Sequence, residues 1–99
     1  MPSLYASREE REQVISGLRE MAAFLAANPD VPAPRSITFH VFPPTGLTHA
    51  EMRAEIDVIA SCIGAKARES AGGHYIASIR FGLVEYSAVA IPRDTRDGR

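Results

Sequence analysis

The 99-residue chain has no tryptophan, a single cysteine, and a single lysine, Lys66, among its eleven basic residues. One thiol, Cys62, cannot close an internal disulfide, so the sequence does not read as a cross-linked scaffold of an oxidising compartment. Charge of one sign is missing as well: eleven Lys and Arg face twelve Asp and Glu, a net of −1. That balance excludes the strong overall positive field with which a protein binds nucleic acid by electrostatics alone. Long apolar runs are also absent. The longest, Met21 to Ala27, falls well short of the roughly 20 residues that span a bilayer, so no membrane partner is expected. The residues up to Glu12 hold no apolar stretch of the secretory type, and a cytoplasmic location is the expectation. What is present is 45% hydrophobic and 23% charged residues, at a length suited to one core and not two. One domain over residues 1–99 is expected, with 93–99 a charged, frayed tail.

Ser7 with Glu10 three residues later forms a capping box, in which each side chain satisfies a backbone N–H orphaned at a helix start. Val14, Leu18, Met21 and Leu25 follow at helical steps, and Asn28-Pro29 ends the pattern because the residue before proline leaves the helical region. Pro32 and Pro34 keep the next stretch extended. From Ser36 to Phe42 the chain alternates Ile37, Phe39 and Val41 against Thr38, His40 and Phe42, the period of a half-buried strand. Thr48 with Glu51 repeats the capping box before a second helix carrying Met52, Ile56, Ile59 and Ile63, and Gly64 suits the left-handed position past its end. Lys66 to Ser70 reads as a short edge strand and Ala71-Gly72-Gly73 as a turn. Tyr75 to Phe81 then reads as a strand, Gly82 as a turn, and Leu83 to Ile91 as a last strand halted by Pro92.

The order α-β-α-β-β-β predicts an α+β fold, a two-layer sandwich with two helices on one face of a three- or four-stranded, mainly antiparallel sheet. The other sheet face is then left over. It should carry the Ile37 or the Thr38 set of the first strand with alternate residues of the last two, and Tyr75 or Tyr86 would fall on it. An open, partly apolar face on so small a domain predicts a homodimer or another protein partner. The candidate interaction face is Thr38, His40, Phe42, Tyr75, Arg80, Phe81 and Tyr86.

Chemistry-bearing residues are sparse. His40, His49 and His74 have no metal-ligand spacing, and with Cys62 they are scattered over a strand, a helix start and a turn; no metal and no cofactor is expected. His40 reads as a surface histidine, a nucleic-acid contact or a general base. Cys62, beside Ile63, reads as a small packing residue; a reactive thiol would need a cation nearby, and Lys66 is the local candidate. Glu51 caps a helix, Glu55 shares its exposed side, and Asp57 is placed opposite no second carboxylate, so no catalytic residue is assigned. Gly72-Gly73 precedes no helix start, and turn geometry accounts for it. Divided after Ala65, the chain is −3 before and +2 after. Arg68, Arg80, Arg93, Arg96 and Arg99 with Tyr75, Phe81 and Tyr86 are its only mixture of basic and aromatic residues.

The segment Gly17 to Pro32, Arg80-Phe81-Gly82 and the strand from Tyr86 to Pro92 resemble a group of small uncharacterised proteins of actinobacteria and their phages or mobile elements. The resemblance covers most of the chain and implies an accessory protein of a mobile element. It carries no catalytic residue across. The resemblance implies a cysteine a few residues beyond the Pro92-Arg93 pair, whereas Asp94 to Arg99 has none, which argues against any role for a C-terminal thiol. The functional expectation is a non-enzymatic protein-interaction or regulatory module. The alternative is a nucleic-acid-binding factor using Arg68, Arg80, Tyr75 and Phe81 of the C-terminal hairpin. A small enzyme would need His40 or His74 to meet a carboxylate or Cys62.

Overall fold

The computed structural model describes residues 5–92, so the expected tail at 93–99 lies outside the described residues. The chain divides into two compact units, the first ending at Arg35 and the second beginning at Ser36. The first is built on helix α1, Arg8–Ala27. Its capping box is complete: the Ser7 hydroxyl accepts from the Glu10 N–H at 3.1 Å, and the Glu10 carboxylate accepts from the Ser7 N–H at 2.9 Å. At the other end the Asn28 side-chain amide donates to the Phe24 carbonyl at 2.8 Å, satisfying an acceptor the helix leaves over. No residue of α1 is buried.

The second unit contains β1 (Ile37–Val41), α2 (His49–Ile63), β2 (Arg68–Glu69), β3 (Tyr75–Phe81) and β4 (Val84–Ala90). The strands form one sheet in the order β1-β4-β3-β2. β1 pairs with β4 in parallel, while β3 pairs antiparallel with both β4 and β2. The fold is therefore α+β, with two helices and a four-stranded mixed sheet in which two of three ladders are antiparallel. β1 and β2 run in the same direction at opposite edges, and α2 is the crossover that links them.

Local chemistry sets each boundary. Thr48 and Glu51 close the capping box of α2 at 3.1 and 2.8 Å, and Gly64 ends the helix with φ of +71°. Between β3 and β4 two residues make the turn, with Phe81 opposite Val84. Gly82 has φ of +63° and among the described residues no non-glycine residue is left-handed, the pattern of a type II′ hairpin. The edge strand expected over Lys66 to Ser70 is only two residues long.

Alternation along the strands and the cross-strand pairs assign the faces. Ala77 lies opposite Ala88 and Tyr75 opposite Ala90, and this side packs against Ile56 and Ala60 of α2. Met52, Ile59 and Ile63 of α2, with Tyr75 and Tyr86, pack around that core. Ile37, Phe39 and Val41 lie opposite Val84, Tyr86 and Ala88, so they share the α2 side. Two expectations are corrected here. Tyr75 and Tyr86 do not fall on the left-over face; both strands turn their odd or even set inward together, and the tyrosines belong with the alanines that meet α2. Cys62 does not pack beside the core but is exposed. Ile56, Ile59, Ala60 and Ile63 occupy the buried stripe, and position 62 lies about 200° around the helix from Ala60.

Candidate interaction surface

The outer face of the sheet, away from α2, carries Thr38 and His40 of β1, Glu85 and Ser87 of β4, and Ile76, Ser78 and Arg80 of β3. It is a mostly polar face. Arg80 is held by Glu85 across the ladder at 3.6 Å, and the His40 ring stacks on Phe42 with centroids 6.0 Å apart. Ser87 and Val89 are buried on β4 although α2 lies on the other side, and Val89 lines a cleft with Phe42, Pro43, Leu47 and Ile91.

The α2 side is covered unevenly. α2 lies over β3 and β4 and does not reach β1. Beyond it runs an apolar strip in two rows defined by register: Phe39, Tyr86 and Ile79, then Ile37, Val84 and Phe81. Leu83 follows in the hairpin turn, between Gly82 and Val84. Phe39 is 38% exposed, Phe81 63% and Leu83 68%. Burying such side chains is worth about 1.5–3 kcal/mol each, so the strip has much to gain from a cover.

A polar cluster occupies the opposite end of α2. The Arg53 guanidinium lies 4.0 Å from the centroid of the Tyr75 ring and pairs with Glu69 of β2 at 3.4 Å. The Tyr75 hydroxyl donates to the Asp57 carboxylate at 2.7 Å. That hydrogen bond is the main reason the phenol is held above its ordinary pKa; slight desolvation and the Asp57 charge add to it, and Arg53 opposes it. A cleft of about 180 Å³ opens beside the cluster, lined by His49, Met52, Arg53, Glu69, Tyr75 and Pro92. Its one guanidinium is already shared between a carboxylate and an aromatic ring, which makes the cluster a clasp between α2 and the β2–β3 edge.

The expected interaction residues are thus divided. Thr38, His40 and Arg80 share the outer face, Tyr75, Phe81 and Tyr86 the α2 side, and Phe42 stands just past the end of β1. Tyr75 and Phe81 are themselves far apart, one in the clasp and one at the hairpin tip. The four hairpin residues expected to touch nucleic acid split in the same way: Arg68 lies opposite Ile76 on the outer face with Arg80, while Tyr75 and Phe81 face α2. Among the described residues no group of three or more His, Cys, Asp and Glu is arranged to hold a metal ion. Among those residues, too, no helix is long and apolar enough to cross a membrane. Sequence reasoning missed the clasp. Arg53 and Asp57 at i and i+4 on α2 flank Ile56, a spacing that marks one side of a helix, but nothing local announces Tyr75 eighteen residues later. Comparison with protein-family profiles, curated proteins and solved structures returned no match for the chain.

Proposed function

We propose that this chain is a non-enzymatic protein-interaction module, and that it binds a second copy or another protein through the apolar strip beside α2. The supporting observation is the exposure of Phe81 and Leu83 at the hairpin tip, with Phe81 on the same sheet face as the exposed Phe39 of β1 and one row from it. Contiguous exposed apolar surface on a small domain marks an interaction site, and large side chains at its centre carry most of the binding energy. The module works in the cytoplasm without a cofactor. The resemblance to actinobacterial phage and mobile-element proteins supports an accessory role there.

Light scattering on the full chain over a range of concentrations, with affinity capture from an actinobacterial lysate, tests the reading. It expects a defined dimer or a stoichiometric complex, weakened by at least about tenfold, or 1.4 kcal/mol, in Phe81→Asp and Leu83→Asp. A strict monomer that retains no partner overturns it, as does a complex indifferent to both substitutions and to changes on β1.

A further inference from the structure

We infer that β1 pairs antiparallel with the β1 of a second copy, joining two four-stranded sheets into one eight-stranded sheet about a twofold axis at Phe39. This rests on the interaction reading and names its partner and geometry. β1 is an edge strand. Ile37 donates its N–H to the Leu83 carbonyl at 3.0 Å, so the main-chain groups of Ile37, Phe39 and Val41 turn toward β4. By strand alternation those of Thr38 and His40 turn to the free edge.

Natural edge strands are protected by brevity, charge, proline or a bulge. β1 has none of these within Ile37–Val41: the nearest prolines, Pro34 and Pro43, stand outside it, and its register with β4 is unbroken over all five residues. β2, at the other edge, is two residues long and both are charged.

The strand is also its own complement. In a twofold pairing centred on Phe39, Thr38 lies opposite the partner's His40 and exchanges both main-chain hydrogen bonds with it, and the axis repeats the exchange. The same register sets Ile37 opposite the partner's Val41 on the α2 side, polar matching polar and apolar matching apolar. No formally charged residue meets another. The two Phe39 side chains face each other across the close, non-hydrogen-bonded position, with Cβ atoms about 4.5–5.5 Å apart, and each covers an exposed aromatic ring. A partner strand of charged sequence would find no counter-charge on β1, which is why a second copy is the occupant the edge favours.

The test uses the full chain. Light scattering should give twice the 10.7 kDa of one chain. With Cys62, which is exposed, replaced by serine, Phe39→Cys should cross-link to a covalent dimer on oxidation with diamide. Thr38→Cys in the same background should not, because its thiols lie two residues out of register. His40→Pro removes an outward N–H and no bond to β4, so it should weaken the dimer at least about tenfold while the circular dichroism spectrum is kept. If that variant fails to fold, the cysteine pair decides. A monomeric wild type, or a dimer that does not cross-link at position 39, or one that cross-links equally at 38, overturns the inference. A monomer that captures another protein through Phe81 and Leu83 overturns this pairing alone; a chain that associates with nothing overturns the interaction reading as well.

Discussion

At one edge of the sheet β2 runs for two residues, Arg68 and Glu69, and Glu69 is drawn to Arg53 of the overlying helix; at the other, β1 runs for five residues with no formal charge. Both strands point the same way and both flank the same β3–β4 hairpin, so geometry does not separate them. Side chains do. The β2 edge is tied to α2 through the Arg53–Glu69 pair and the neighbouring Arg53–Tyr75–Asp57 clasp, while no such tie joins α2 to β1 among the described residues. A sheet can be finished at one edge by its own residues and presented for pairing at the other.

The comparison can be broken most strongly by removing what both edges share. Ile56 is the one large side chain wholly inside the helix–sheet layer, and Ile56→Ala should cost about 2–5 kcal/mol in urea unfolding, loosening both edges in hydrogen exchange. If β2 alone loosens, β1 does not depend on α2. Next, Thr38→Lys gives β1 the protection that β2 has. Association should fall by about tenfold, or 1.4 kcal/mol, in sedimentation velocity, with unfolding free energy unchanged to within about 0.5 kcal/mol. Gly82→Ala acts on the hairpin between the edges. Nothing lies within 4 Å of an added Cβ, so the cost is that of a left-handed φ alone, about 1–2 kcal/mol, read as a lower midpoint of thermal unfolding.

The smallest effect belongs to the clasp. Asp57→Asn should lower the pKa of Tyr75, seen in the phenolate absorbance near 295 nm, because the carboxylate that holds its proton is gone. The sign follows from linkage: a folded-state pKa above the unfolded one stabilises fully below about pH 10 and the contribution is lost as pH rises through the raised value. At neutral pH the whole of that contribution is therefore lost in the variant. Because the pair is exposed to solvent the loss is small, loosening the β2 edge slightly and leaving the β1 edge unchanged, whereas above the raised pKa wild type and variant should converge.

Most element boundaries were legible in the sequence because local chemistry decides them. Ser7 with Glu10 and Thr48 with Glu51 set both helix starts, Gly64 set an end, and Tyr75 to Phe81 alternates over the whole of β3. Which strands are neighbours was not legible. Alternation fixes the two faces of a strand but says nothing of whether β1 lies beside β4 or at the far side of β2, since that depends on where α2 lands. The division of the candidate face was half legible: Arg80 and Phe81 are adjacent on one strand and must point to opposite sides, but the side that meets α2 becomes known only once Ala77, Ala88 and Ala90 are seen against Ile56 and Ala60. The clasp was illegible because its partners come from three elements.

Four of the five residues at the centre of that layer are alanines: Ala60, Ala77, Ala88 and Ala90. Methyl groups let the helix backbone approach the sheet closely, and they make the layer asymmetric toward change. A larger residue at any of the four must lift α2 or bend β4, whereas serine or glycine leaves the spacing intact. Tolerance at these positions is therefore a sieve by volume more than by polarity. Saturation libraries at Ala77 and Ala88 should sort by side-chain size, and a single enlargement, by tilting α2, would slacken the grip of Arg53 on Tyr75, which stands two residues along β3 from Ala77.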